Sequence, residues 1–152
     1  FSLNPPAVSS LFEPDAPSPD RRLKAAWKCL EAGYKVRIRI DPMIPVKGWK
    51  DAYGKLAEKV AELKPERVTL GCLRLFPVVK AFSRRDETIF KYAVERTPDG
   101  RFRPSERIRI EMYRFVCNII KKFSPLTELG LCKETFSVHE VLKFPVKCNC
   151  LL

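Results

Sequence analysis

The chain predicts an α/β fold, part of a β/α barrel, on three observations. β-branched runs alternate with amphipathic helical stretches of twelve or more residues, a cadence that implies right-handed crossovers and a parallel sheet. Four strand-like runs occur in 152 residues, whereas a complete eight-stranded barrel takes about 250. The chain also opens inside a strand, at Phe1, without an initiator Met. It is therefore expected to be a piece of a longer protein.

Phe1 to Asn4 reads as the end of a strand, and Pro5 to Pro19 as a Pro- and Ser-rich loop with a short turn over Ala7 to Phe12. Ser18 then caps a helix with Pro19 at its first position, where a missing N–H costs nothing. Leu23, Ala26, Trp27 and Leu30 form its predicted buried stripe, and Gly33 supplies the left-handed stop. The Lys35–Ile40 run is the next strand. It is expected to stop at Asp41, because Pro42 cannot donate to a ladder. A second helix carries Trp49, Tyr53, Leu56, Val60 and Leu63 inward and ends at Pro65. Arg67 to Leu75 is the third strand.

The cadence breaks between Phe76 and Pro104. Ile89 to Arg96 and Arg101 to Arg103 flank Thr97-Pro98-Asp99-Gly100, whose Pro-Asp-Gly is turn chemistry, so a hairpin is expected. A third helix starts at Ser105 with Ile108, Met112, Phe115, Ile119 and Phe123 on one face. Glu128 to Cys132 is a short strand, and Ser137 to Lys143 a short helix. One domain is expected: β/α units over 1–75, a connector with the hairpin over 76–104, and the terminal helix, strand and short helix over 105–152.

Composition narrows the function classes. The formal charge of +11 points to an anionic partner, most simply nucleic acid. An apolar fraction of 45% argues against general disorder. No run reaches the roughly 18 apolar residues of a membrane span, and nothing resembles a secretory leader, so no membrane partner is expected. The six cysteines lack C-x-x-C spacing, which suggests reduced thiols in a cytoplasmic protein and no metal site. Cys148-Asn149-Cys150 is too small a set to hold a metal alone. His139, the single histidine, is expected at the surface. No Gly-rich phosphate loop, Ser/His pairing or H-E-x-x-H appears, so hydrolytic mechanisms have little support.

Two groups of residues carry candidate chemistry. Ser2 and Asn4 end the first strand with side chains on one face, and Arg37, Arg39 and Asp41 share one face of the second. Carboxyl ends of strands are where α/β folds place ligands. Alternating arginines in a parallel strand demand partners, so this face is either ligand-filled or an internal salt-bridge network. On the third strand, Gly71 marks a close backbone approach or a bulge, with Cys72 and Arg74 just beyond. Cys132, Lys133 and Glu134 close the last strand. The second group lies in the connector: Lys80, Arg84, Arg85, Lys91, Arg96, Arg101 and Arg103 interleave with Phe82, Phe90, Tyr92 and Phe102. Cations neutralise phosphates and rings stack on bases, so the hairpin suits a nucleic-acid groove. A solvated edge hairpin protected by its charges is the plain alternative.

Taken in order, Ser2-Leu3-Asn4-Pro5, Phe12-Glu13-Pro14, the Pro17-to-Arg22 helix start, Ala32-Gly33-Tyr34, Asp41-Pro42-Met43-Ile44-Pro45, Gly48-Trp49 and Leu70-Gly71-Cys72-Leu73-Arg74 resemble the spore photoproduct lyase family of radical S-adenosylmethionine (SAM) enzymes. Glu111-Met112-Tyr113 and Leu131-Cys132-Lys133-Glu134 continue the likeness into the last third. The resemblance implies the carboxyl-terminal half of a partial, TIM-like barrel that holds a [4Fe-4S] cluster and SAM. In that family a SAM-derived radical abstracts hydrogen from a thymine photodimer in DNA so that the bases separate. It also implies that Ser2, Asn4, Arg39 and Asp41 bind SAM and that the hairpin, through Lys91, Tyr92, Arg96, Arg101, Phe102 and Arg103, meets DNA. The family's C-x-x-x-C-x-x-C cluster motif is absent here. The cluster ligands and the hydrogen-donating cysteine are therefore expected in an amino-terminal half outside this chain, which carries no catalytic residue and no metal ligand and is expected to be inactive alone. The alternatives are a non-catalytic basic nucleic-acid-binding module and half of another radical SAM enzyme.

Overall fold

The computed structural model describes residues 1–82 and 87–146. Arg84, Arg85, Cys148 and Cys150 lie outside the described residues, as does the Lys80 side chain. Along the chain run β1 (Ser2–Leu3), α1 (Pro6–Phe12), α2 (Pro19–Glu31), β2 (Arg37–Met43), α3 (Trp49–Glu62) and β3 (Arg67–Cys72). There follow α4 (Pro77–Phe82), a 3-10 turn (Glu87–Tyr92), β4 (Glu95–Arg96), β5 (Phe102–Arg103), α5 (Glu106–Phe123), β6 (Glu128–Leu131) and α6 (Phe136–Leu142). Four strands form one sheet in the order β1-β2-β3-β6, every pairing parallel, while β4 and β5 make a separate antiparallel pair. The parallel sheet follows the expected cadence. No helix among the described residues is long and apolar enough to cross a membrane.

Alternation sorts the strands into two faces. Ile38, Ile40, Val68, Leu70 and Leu131 are buried and join one core with Leu23 and Ala26 of α2, Tyr53, Leu56 and Val60 of α3, and Met112, Val116 and Ile120 of α5. Arg37, Arg39 and Asp41, on the other parity, are only half-buried. Register places Arg37, Arg67 and Glu128 in one line across the sheet, and Ser2, Arg39, Thr69 and Gly130 in the next.

Several boundaries differ from expectation, each for a local reason. β2 does not stop at Asp41: its pairing with β3 shifts register between Ile40 and Met43, and it pairs again at Met43 with Cys72. A bulge thus absorbs the proline, which then need not donate. β3 ends at Cys72 rather than Leu75, because Leu75 leaves the sheet to exchange both backbone hydrogen bonds with Phe102 at 2.8 and 2.9 Å. The turn expected at Ala7–Phe12 is a seven-residue helix with Pro6 at its start. Ile89–Tyr92, expected as a hairpin arm, belongs to the 3-10 turn, so the paired arms are two residues each.

Three side chains also sit differently. Trp27 is 43% exposed, because α2 turns its Leu23–Ala26 edge to the core. Phe123 is 48% exposed. The α5 face pressed on the sheet is Met112, Tyr113, Val116 and Ile120, while Phe115 and Ile119 pack across Gly54 of α3. Trp49 meets Phe115 edge to face at 5.6 Å. His139, expected at the surface, is 4% exposed, because α6 packs against α5 and His139 lies with Val138 among its buried residues.

Two phenols fasten helices to the strand ends. The buried Tyr53 hydroxyl accepts from the Ile44 N–H at 2.8 Å and donates to the Asn4 amide oxygen at 3.3 Å. Tyr113 accepts from the Cys72 N–H at 2.7 Å. Burial pushes both phenols above their ordinary range, so they remain protonated donors. Tyr53→Phe leaves a buried amide and a buried carbonyl unpaired. It should cost about 1–3 kcal/mol, read as a lowered denaturation midpoint at unchanged slope.

Candidate functional site

Asp41 sits at the carboxyl end of β2, and three other side chains reach it or its partners. Arg74 binds it bidentately, Nη1 to Oδ1 and Nη2 to Oδ2, both at 2.9 Å, and Arg39 Nη2 meets Oδ2 at 2.5 Å. The Arg39 and Arg74 guanidiniums also approach Cys132 Sγ, at 3.3 and 3.8 Å. Burial raises the Asp41 carboxyl, but the hydrogen bonds and charge of Arg74 and Arg39 outweigh it, so its pKa lies below the ordinary carboxylate value. This clamp needs a bare backbone beside it. A Cβ at Gly71 would lie 2.8 Å from the Asp41 carboxyl carbon and 2.9 Å from Arg74 Nη1. The expected close approach at Gly71 is therefore made by a neighbouring side chain.

Ser2 and Asn4 do not share an environment. Ser2 is exposed, its hydroxyl donating to the Asp41 carbonyl at 3.3 Å. Asn4 is fully buried. Its amide nitrogen donates to Glu13 Oε1 at 2.6 Å and its oxygen accepts from Tyr53. Arg22 closes that knot, donating to Glu13 at 2.7 Å, to the Ser9 hydroxyl at 3.1 Å and to the Ser2 carbonyl at 3.0 Å. So the Pro-rich segment is bound down on the end of β1, and Glu13 and Arg22 owe their places to this knot. The remaining arginines of the open face are paired: Arg37 with Glu66 at 2.6 Å and Arg67 with Glu128 at 2.7 Å. Of the two sequence expectations for that face, the structure shows the salt-bridge network, and the face stays half open.

The hairpin has two unlike faces. Arg96 lies opposite Phe102 and Glu95 opposite Arg103. Arg96 and Lys91 are exposed, and the Lys91 ammonium lies 5.1 Å from the Tyr92 ring centre. The Arg101 guanidinium covers Phe76 at 4.6 Å. Phe102 and Phe90 line an apolar cleft of about 200 Å³ with Leu75, Phe76, Pro77 and Ala93. Tyr92 is not a free stacking ring, since it packs edge to face on Phe12 at 6.3 Å. Arg103 corrects the expectation outright. It is 1% exposed, with Nε on the Thr97 hydroxyl at 3.1 Å and Nη2 on Asp99 Oδ2 at 2.6 Å. It therefore braces the turn from inside and cannot reach a phosphate. Asp99 is correspondingly drawn down: burial opposes ionisation, but Thr97, Arg103 and the Arg101 N–H bring its pKa to about 2.

Comparison with known proteins matches this arrangement to one family. Residues 1–97 match spore photoproduct lyase. The chain belongs to the spore photoproduct lyase family. It is 35% identical over 68 residues to the spore photoproduct lyase of Bacillus subtilis, a stretch covering 45% of this chain and 20% of that protein. Against the enzyme of a Geobacillus species the figures are 39% over 61 residues, 40% and 18%. Among solved structures, a spore photoproduct lyase complexed with dinucleoside spore photoproduct superposes with a TM-score of 0.67 at 24% identity, over 85% of this chain and 42% of that one. A cysteine-to-serine mutant of a spore photoproduct lyase gives 0.65 at 26%. The chain thus spans less than half the length of these relatives. Their likeness establishes the α/β fold with its parallel sheet. The family stretch contains Ser2, Arg39, Asp41 and Arg74 of the cluster, Cys132 lying beyond it, and the first hairpin strand.

Arg74 and Cys132, which the sequence places at or just past strand ends, join Asp41 in the cluster, a pairing that the sequence does not foresee. The one signal for them is position, since each lies just past the end of a strand adjacent to the one bearing Asp41 or one further along the sheet. Gly71→Ala should destabilise the protein by about 1–3 kcal/mol by forcing Asp41 off Arg74. Gly54→Ala, whose new Cβ meets nothing nearer than 3.5 Å in a helix interior, should stabilise it by up to about 1 kcal/mol. Thermal or chemical unfolding of the two variants distinguishes them by sign.

Proposed function

We propose that this chain is the carboxyl-terminal part of a radical SAM enzyme that reverses a thymine photodimer in DNA, and that it contributes a SAM-facing strand end and a DNA-facing hairpin. What carries this reading is the convergence of Ser2, Arg39, Asp41 and Arg74 at the carboxyl ends of neighbouring parallel strands, within the stretch that matches the family. Support for the cofactor also comes from a structural neighbour described with bound AdoMet, and for the substrate from one complexed with dinucleoside spore photoproduct.

The described residues do not fit an iron–sulfur cluster. Cys29, Cys72, Cys117 and Cys132 are free thiols, and among the described residues no three metal-ligating side chains converge. Cys72 is also buried, which pushes its thiol up to about 12. The cluster ligands belong to chain outside this one. The residues do fit the polar end of SAM in part. The exposed Ser2 hydroxyl offers a hydrogen bond, the 40%-exposed Arg39 guanidinium offers a carboxylate partner, and Asp41 offers acceptor oxygens. Held there, SAM would supply hydrogen-atom abstraction after cleavage by one electron from an iron–sulfur cluster outside this chain. Asn4, held between Glu13 and Tyr53, acts by fixing the end of β1 behind Ser2.

Two experiments separate the two halves of the proposal. In the reconstituted full-length protein, Ser2→Ala and Asn4→Ala should each lower SAM cleavage while leaving iron content unchanged. Ser2→Ala removes only an exposed hydroxyl, so unaltered cleavage in that variant would remove the strand end from the cofactor site. For DNA, phosphate contacts set affinity and its salt dependence. Replacing Lys91, Arg96 and Arg101 with Ala should weaken duplex binding and flatten the log–log salt slope by about 0.9 for each phosphate that is no longer neutralised. Wild-type binding at every salt concentration would leave the hairpin a solvated edge.

A further inference from the structure

Behind the hairpin, on the face away from Arg96 and Phe102, lies a buried ionic knot that neither cofactor nor DNA contact accounts for. Its centre is Glu134, three residues past β6, whose side chain is fully buried. Glu134 Oε2 accepts from the Tyr113 hydroxyl at 2.8 Å, and Oε1 accepts from the Thr135 N–H at 2.8 Å. Arg109 Nε lies 3.3 Å from Oε1 and Arg103 Nη1 lies 4.0 Å from it. Arg109 is itself fully buried, donates to the Pro104 carbonyl and lies 3.6 Å from Glu95. Glu95 in turn accepts from the Glu106 N–H at 2.6 Å. β4 is therefore tied to this carboxylate through Glu95 and Arg109, and Arg103 of β5, bonded to Thr97 and Asp99, faces it at 4.0 Å. The same carboxylate reaches β3 through Tyr113, whose hydroxyl also accepts from the Cys72 N–H.

We infer that Glu134 is a positioning residue that locks the hairpin at a fixed angle to the strand ends, so that the DNA-contacting face is set before DNA arrives. A two-residue pair of strands with one backbone bridge to Leu75 has too few hydrogen bonds to hold its own orientation. Buried charges with one partner removed are strongly unfavourable. Arg103 keeps Asp99, but loss of Glu134 leaves the buried Arg109 with only Glu95 and Glu106, at 3.6 and 3.8 Å, and the cheapest relief is for the hairpin to swing out and hydrate it. Ordering the hairpin would then fall to the binding step, which lowers affinity without changing the contacts made in the complex. The DNA part of this inference rests on the proposed function, whereas the fixed angle does not.

The test is Glu134→Gln in the full-length protein, read by amide hydrogen exchange and by duplex binding across a salt series. The amides of Leu75 and Phe102, each bonded to the other's carbonyl, should lose protection while those of Ile40 and Leu70 keep it. Affinity should fall on the order of tenfold with the salt slope unchanged, unlike the variants that remove Lys91, Arg96 and Arg101. Retained protection at Leu75 and Phe102 would overturn the inference, as would a loss of affinity accompanied by a flatter slope. If the core amides of Glu134→Gln also exchange, Glu95→Ala gives the same reading. It cuts β4 from Arg109 while leaving Glu134 with Arg109 and Tyr113 and Arg103 with Thr97 and Asp99, and an unaltered Leu75–Phe102 bridge there overturns the inference equally. A wild-type protein that binds no duplex would sink the DNA reading alone, since the exchange result still decides whether Glu134 fixes the hairpin.

Discussion

The contact between the Asp41 carboxylate and Arg74 sets the layout at the open end of the sheet. It requires that β3 pass β2 with no side chain at residue 71, and it fixes the point where the chain leaves the sheet. Arg74 also donates to the Cys72 carbonyl at 3.1 Å, so the chain turns over its own strand end. Leu75 is delivered to Phe102, and the connector begins there. One buried, doubly paired carboxylate thereby fixes both the open edge of the sheet and the root of the hairpin. Because desolvation opposes the charge at Asp41, the arrangement is stable only while both guanidiniums hold their geometry.

Charge follows the same logic throughout. The chain has 29 Lys and Arg against 18 Asp and Glu, and its carboxylates are engaged largely in inward or lateral pairs. Glu13 holds Arg22, Glu66 holds Lys35 and Arg37, Glu128 holds Arg67, and Glu134 holds Arg109. The unmatched cations are left for the surface, and Lys91 and Arg96 stand on the outer side of the hairpin. The net positive charge is thus what remains after the fold has used its acids, and a polyanion is the partner that such a remainder suits.

The hairpin shows why residue type alone misleads. Lys91, Arg96, Arg101 and Arg103 look alike in sequence. Pairing sends Arg96 outward beside Phe102 and Arg103 inward beside Glu95, while Arg101 stacks on Phe76. Alternation gives opposite faces to Phe102 and Arg103. Arg103 turns inward onto Thr97 and Asp99 and faces Glu134, 4.0 Å away and more than thirty residues later in the chain.

Periodicity, turn chemistry and capping were enough to specify the parallel sheet, the order of its helices, the turn at Pro98–Gly100 and the position of Asp41 at a strand end. These are local properties, set by backbone geometry and by which side chains recur on one face. The ordered motifs from Ser2 to Arg74 were enough to point to the family as well. The tertiary structure alone decided that β2 runs through Pro42, that Asn4 and Arg103 are buried while Trp27 is not, and that Arg74 and Cys132 join Asp41. Asn4 is held by Tyr53 and Glu13, Arg103 by Thr97 and Asp99 with Glu134 facing it, and Asp41 by Arg74 across the bare backbone at Gly71. A side chain's burial and pairing depend on what the fold brings against it, and no periodicity within its own segment records that.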